Sequence, residues 1–384
     1  MKKKVVIIGA NEFQNPLILK AKELNYETHV FAWESGDVGE KTADYFYPIS
    51  ITNKEEILEV CKKIKPDAVT SIGSDLAVIT VTYLVKHLNL VGNDFENSLI
   101  CTNKYEMRKA LNEKGIKVPT YEKVNSIKQV TDFKFPKIVK PTDRSGSRAI
   151  TFVNNKSELE QAIKNAVENS FEKFAIVEDF ITGNREYSCE TISYNGEHKI
   201  LSVTKKFTTG YPNFIEIGHI QPSDLNEKEL LNLYEILPQA LNALEIKNGA
   251  SHTEFIVDEN ANINIVEIGA RMGGDCIGSH LVELSTGYDF VKMVLDVSLG
   301  LEPEFNKKNS YKYSFIKFIF TEEDLRKIKT ITDKYPDILK LTSEIKDMDH
   351  KVIDSSSRFG YYIFATNNDK ILEDIINGVK LYEK

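Results

Sequence analysis

His252-Thr-Glu254-Phe-Ile-Val-Asp258-Glu-Asn-Ala-Asn262-Ile263-Asn-Ile-Val-Glu267-Ile-Gly269-Ala-Arg271 reads as two apolar runs separated by a polar stretch. Apolar and β-branched residues flanking Asp, Glu and Asn specify two strands joined by a turn, hence a hairpin. If the strands pair symmetrically about Asn260 and Ala261, Glu254 stands directly across from Glu267. Facing residues of an antiparallel pair have Cβ atoms roughly 4.5–5.5 Å apart, where like charges repel and destabilise the sheet. An element that otherwise reads as core should not carry that defect uncompensated. A divalent cation supplies the compensation, because Mg2+ binds through one or two carboxylates plus the phosphates of its nucleotide. The bland alternative is a solvated hairpin whose acids do nothing.

Beyond the hairpin, Arg271, Gly273 and Gly274 place a guanidinium and two bare backbone positions beside the inferred metal. That combination suits capture of phosphate or carboxylate oxygens. Upstream, Phe135-Pro-Lys-Ile-Val-Lys140-Pro141 ends a buried strand on a lysine, and Thr142-Asp-Arg-Ser145-Gly146-Ser147-Arg148 follows. A small-residue loop with free N–H groups and basic flanks can hold an anion. It is not a Walker A loop, lacking GxxxxGK[ST] and the helix that should follow. Alone, such a loop is more often a plain connection, and Lys104 within a helix is equally ordinary.

The first hundred residues alternate strands (Lys4–Ile8, 27–32, 67–72, a short 90–91) with helices (17–24, Lys54–Ile64, 76–88). That alternation means βαβ units and a parallel sheet. The first turn, Gly9-Ala-Asn11-Glu-Phe-Gln14, keeps only the first glycine of GxGxxG, so glycine-fingerprint dinucleotide binding is disfavoured. A helix over 103–114 ends at Gly115 with Pro119 beyond. Residues 120–182 read as a small α+β unit and the remainder as strand-rich, with helices at 227–244 and 370–381. The expected domains are 1–100, Rossmann-like, and 101–384, divided into a small unit at about 120–182 and a strand-rich C-terminal part at about 183–384, which the resemblance named below makes a lid and a catalytic part.

The 384 residues suffice for two or three domains, and 41% hydrophobic with 28% charged residues is ordinary globular composition. A net charge of −8 argues against a general nucleic-acid binder. The run from Val5 to Ala10 is too short for a signal peptide, and no stretch approaches the roughly 18 apolar residues of a membrane span. Cys61, Cys101, Cys189 and Cys276 lie too far apart for zinc or disulfide patterns. A soluble, cytoplasmic protein with no nucleic-acid or membrane partner is expected.

Taken in chain order, these segments resemble the ATP-grasp superfamily, from Val5 to about Gly287. Thr102-Asn103-Lys104 with Met107-Arg108 resembles the part bearing its first phosphate lysine, and Lys140 matches its second. The resemblance makes Asp143–Arg148, with Ser145, Gly146 and Ser147, the phosphate-covering loop. It makes Val177-Glu178-Asp179-Phe180-Ile181 the hinge whose Glu178 and neighbouring backbone bind adenine, and Glu186 the ribose ligand. Glu254 and Glu267 match its magnesium carboxylates. Gly269 departs from the family, which often has Asn there.

Within the superfamily, Glu216-x-x-His219, His252-Thr-Glu254 and Glu267-x-x-x-Arg271-Met-Gly-Gly look most like L-amino-acid ligases. The resemblance implies a Rossmann-like domain followed by an ATP-grasp fold, α/β and α+β, with a large antiparallel C-terminal sheet. It implies ATP and Mg2+ as cofactors, with Mn2+ able to substitute. The implied activity joins a small-molecule carboxylate, an amino acid, to an amine or a carrier-protein thiol through an acyl phosphate, releasing ADP and phosphate. Glu216 and His219 would line the substrate pocket and Arg271 would hold carboxylate and acyl-phosphate oxygens. A homodimer is a further expectation. The alternatives are a purine-pathway ligase or carboxylase of the phosphoribosylglycinamide synthetase kind and a nucleotide-binding protein without turnover.

Overall fold

The computed structural model describes residues 2–378 apart from 147, 183–184 and 212–213. Among the described residues, three sheets organise the chain. The first is parallel, with β1 (Lys4–Ile8), β2 (Glu27–Phe31), β3 (Tyr45–Tyr47) and β4 (Ala68–Thr70) in the order β3-β2-β1-β4. The central strand β1 is continuously apolar from Val5 to Ile8 because both its faces are covered. Val6, Ile8 and Phe31 pack on the helices Lys54–Ile64 and Asp75–Leu88. Val5, Ile7 and Val30 share a second cluster with Leu17 and with Phe290, Val294 and Leu295 of the helix Phe290–Ser298. The Rossmann-like shape therefore holds. The short strand expected at 90–91 does not form, since Asn89 ends its helix in the left-handed conformation and Leu90 N–H turns back to the Val85 carbonyl.

The second sheet is antiparallel: β5 (Tyr121–Val124), β6 (Lys137–Pro141), β7 (Thr151–Val153) and β8 (Ala175–Asp179), ordered β5-β8-β6-β7. One face buries Val139, Val153 and Val177 against Leu159 and Ile163 of the helix Lys156–Asn169. Strand alternation sends Ile138 and Lys140 to the opposite face.

The third sheet holds β9 (Arg185–Tyr194), β10 (Glu197–Thr208), β11 (Glu216–Gln221), β12 (Gly249–Val257), β13 (Ile263–Gly269), β14 (Tyr313–Phe318), β15 (Leu339–Thr342) and β16 (Tyr361–Thr366). Their order is β13-β12-β9-β10-β11-β14-β16-β15, every pair antiparallel. Tyr187, Cys189, Val203, Phe255 and Ile265 point back into a core with Leu233, Leu237 and Leu241 of the helix Glu227–Ala243. The alternate residues of the same strands, Glu186, Glu190, Lys206, His252 and Glu254, therefore share the front face. All four cysteines are buried and unpaired. No described helix is long and apolar enough to cross a membrane.

Candidate active site

A cavity of about 570 Å³ lies between the front of the large sheet and the Ile138–Lys140 face of the small one. Its walls include Ile138, Ile150 and Phe152 from the small unit and Ile256 and Val266 from the large sheet. These flat apolar faces, with Phe152 edge-on to Phe180 at 4.9 Å and to Tyr211 at 5.0 Å, suit a planar heterocycle. Phe180 and Ile181 line it.

At the polar end, Glu254 pairs with Glu267 across β12 and β13. The reason differs from the one assumed. Val257–Ile263, Ile256–Asn264 and Phe255–Ile265 pair symmetrically about Asn260, which would set Glu254 against Val266. A β-bulge adds one residue at Val266 and brings Glu267 opposite Glu254. Each carboxylate has an ammonium partner: Lys206 Nζ is 2.6 Å from Glu254 Oε1, and Lys104 Nζ is 3.0 Å from Glu267 Oε1. Burial pushes the Glu254 carboxyl up, and Lys206 with His252 more than reverses this, leaving it well below the usual range. Burial lowers His252 as well, but Glu190 lifts it to about 9.

Two hard oxygen donors on the cavity wall suit a magnesium ion that draws its other ligands from phosphates and water. Among the described residues no group of three or more His, Cys, Asp or Glu forms a self-sufficient metal cage. An Asn at position 269 would have to share its space with the Asp75–Arg271 pair. A Cβ there would stand 2.9 Å from Asp75 Oδ1 and 3.2 Å from Arg271 Cζ.

Lys104 opens the helix Lys104–Glu113, capped by the Asn103 side chain, and shares its buried face with Met107, Arg108 and Leu111. Its Nζ also donates to the Arg144 carbonyl at 2.8 Å, tying the helix to the Thr142–Arg148 loop. Ser145 and Gly146 line the cavity, Gly146 with φ +72 and open space around it; Ser147 lies outside the described residues. Glu178 faces Ile138 in register, so Lys140 is its diagonal neighbour, with Nζ 2.8 Å from Glu178 Oε2. Arg108 Nε donates to the other oxygen at 2.7 Å. Both oxygens of this 2% exposed carboxylate are thus engaged within the protein. The groups around it left for a ligand are the neighbouring backbone and the apolar slot.

Arg271 lines the cavity, but Asp75 holds it: Nε donates to Oδ1 at 2.9 Å and Nη2 to Oδ2 at 3.0 Å. The two side chains join the first turn of Asp75–Leu88 to the Gly-rich turn after β13. Glu186 and Glu216 reach the wall, with Lys206 between them at 3.4 and 3.6 Å. His219 does not reach it. The ring is 1% exposed, packs edge-on to Phe318 and has Nε2 3.4 Å from Asp275 Oδ2. Asp275 is also gripped by both Nη atoms of Arg358.

Sequence reading missed Asp75, Lys206, Glu190 and the apolar slot. Asp75 carries no motif, and slot residues resemble any core. Lys206 did leave a signal. In a strand covered on both faces, the neighbours Lys205 and Lys206 must point to opposite sides, so one of them enters the interior.

Residues 133–279 match the ATP-grasp domain family. Over 268 residues the chain is 25% identical to the alanine–anticapsin ligase of Bacillus subtilis strain 168, covering 63% of this chain and 56% of that protein. The chain therefore spans about half the length of the curated relatives of that kind. The crystal structure of an L-amino acid ligase from Bacillus licheniformis superposes with a TM-score of 0.83 at 22% identity, covering 99% of this chain and 97% of that one. A phosphoribosylglycinamide synthetase from Anaerococcus prevotii superposes at 0.77 with 21% identity, covering 100% of both chains. At such identities these two structures establish the fold alone. The chain has the fold of these two ligase structures, and its residues 133–279 are similar to the ATP-grasp domain family.

Proposed function

We propose that the protein is an ATP- and Mg2+-dependent carboxylate–amine ligase that activates an amino acid as an acyl phosphate. The observation that carries this reading is the convergence, at one end of an apolar slot, of Glu254 facing Glu267, the lysines Lys104 and Lys140, and the Arg271 guanidinium. The likeness to the alanine–anticapsin ligase supports an amino acid as substrate.

In this reading the nucleobase lies in the slot near Phe180 and Ile181, with Glu186 near the ribose. Lys104 and Lys140 offset charge on the phosphates. Glu254 and Glu267 would hold Mg2+, which when bound neutralises phosphate oxygens during transfer. The substrate carboxylate attacks the γ-phosphorus and ADP leaves. The amine then attacks the acyl carbon and phosphate leaves, with the free N–H groups of Arg271 facing the oxyanion. Enclosure between the two sheets protects the acyl phosphate from water.

The test is phosphate release with ATP and Mg2+ over pairs of amino acids and small amines, with nucleotide products identified. ADP and phosphate that appear only when an amino acid is present are expected. AMP and pyrophosphate would replace the acyl phosphate by an adenylate. Turnover with ribonucleotide amines alone would move the protein to the purine-type ligases, and no turnover with any pair would leave a nucleotide-binding protein.

A further inference from the structure

Lys206 is the charged group of the site that no motif announces and that the ligation chemistry above leaves without a task. Its Nζ is 2.6 Å from Glu254, 3.4 Å from Glu186 and 3.6 Å from Glu216. The side chain is almost wholly buried and lies behind the cavity wall that these three acids form. Three carboxylates within 3.6 Å thus surround this one ammonium.

The two lysines at the metal carboxylates are not equivalent. Lys104 stands on the cavity wall and can pass from Glu267 to a phosphate oxygen. Lys206 is enclosed by acids and has no such exchange available. Glu254 therefore remains partly neutralised whether or not nucleotide is present. A hydrated magnesium ion gives up water reluctantly and needs strong anionic ligands to do so. With Lys104 at Glu267 and Lys206 at Glu254, neither carboxylate is free for a cation, and nucleotide phosphates both draw Lys104 away and supply the missing anionic ligands while Lys206 stays at Glu254.

We propose that Lys206 is a positioning residue that takes the cation's electrostatic place at Glu254 in the nucleotide-free protein, so that a divalent ion binds only together with nucleotide. The inference rests on the reading of Glu254 and Glu267 as the metal carboxylates.

The probe is Mn2+, followed by the loss of its free-ion electron paramagnetic resonance signal, with and without a non-hydrolysable ATP analogue. The native protein should bind Mn2+ tightly only with the analogue. Lys206→Met should bind Mn2+ without it, about ten-fold or more tighter than the native protein does, since one nearby positive charge is gone. Lys206→Arg, which keeps the charge, should behave as the native protein.

A Lys206→Met protein that still needs the analogue as strongly as the native one overturns the role of Lys206 and leaves the metal site standing. If the native protein takes up no Mn2+ even with the analogue, the metal assignment falls and this inference with it. Should Lys206→Met be unfolded in metal-free buffer, recovery of its circular dichroism on adding Mn2+ alone supports the proposal. Failure to recover overturns it.

Discussion

Arg271 shows how much a single side chain is asked to do. Three of its N–H groups serve Asp75 and the Met272 carbonyl, and the same residue lines the cavity. A lysine supplies a point charge and cannot hold the Asp75 fork and a substrate oxygen together. Arg271→Lys should lower kcat and kcat/KM together by about 10²-fold, with the KM for ATP nearly unchanged. A lower Tm with normal turnover at low temperature would make the residue purely structural. Gly269 belongs to the same arrangement, because any Cβ there meets the Asp75–Arg271 pair. Gly269→Asn is therefore expected to reduce turnover rather than add a metal ligand, and higher activity at limiting Mg2+ would contradict the packing argument. Glu267→Gln should stay folded yet lose nearly all ATP turnover, since one neutral amide opposite Glu254 no longer completes the site. Near-normal activity at saturating Mg2+ would remove the cation from the account.

Elements were legible where their physical signal was local. The apolar run Lys4–Ile8 and the amphipathic helix Lys54–Ile64 have the bounds their patterns specify. Short or charged strands were not: β5 reads Tyr-Glu-Lys-Val and β15 reads Leu-Lys-Leu-Thr at sheet edges, and β11 is interrupted by Gly218. Such strands are held by their neighbours more than by their own preference. The Glu254–Glu267 pairing was legible only in outcome, because the bulge at Val266 has no signature in the residues. A clasp between elements was equally hidden. Glu178 on β8 joins Lys140 on β6 to Arg108 on the helix Lys104–Glu113. Burial pushes its carboxyl up, and Arg108 and Lys140 more than reverse this, to about 2 against an ordinary 4.5. A depressed folded value gives stability that is fully present above 4.5 and lost as pH falls through about 2. Urea unfolding should show the native protein weakening across that window and Glu178→Gln weakening less. At neutral pH the variant should be less stable by roughly 3–5 kcal/mol, because it leaves the Arg108 charge buried without its partner. Equal acid slopes in the two proteins would assign the acid sensitivity elsewhere.

At the scale of the molecule, the distribution of cores decides what can move. The parallel sheet does not have a core of its own on its inner side. Val5, Ile7 and Val30 share one cluster with Ile192, Leu201, Met272 and the helix Phe290–Ser298, and Asp75 adds an ion pair to Arg271 across the same junction. The small sheet differs: Val124, Val139, Val153, Leu159, Ile163 and Val177 form a cluster drawn entirely from 124–177. Its junction with the large sheet runs through the cavity walls and through polar links such as Lys104 to Arg144 and Glu267. Separating two bodies that share a core exposes apolar surface, whereas rotating one with its own core costs mainly polar contacts that water can replace. Ligand closure should therefore move the small unit against a rigid pair formed by the parallel and large sheets. Hydrogen exchange read by mass spectrometry, with Mn2+ and a non-hydrolysable ATP analogue, tests this. Amides of β6, β7 and the Thr142–Arg148 loop should slow strongly, while those of β1, β2 and the helix Phe290–Ser298 keep their ligand-free rates. Equal slowing in both regions would mean that the three sheets tighten as one body, and the small unit would not be a lid.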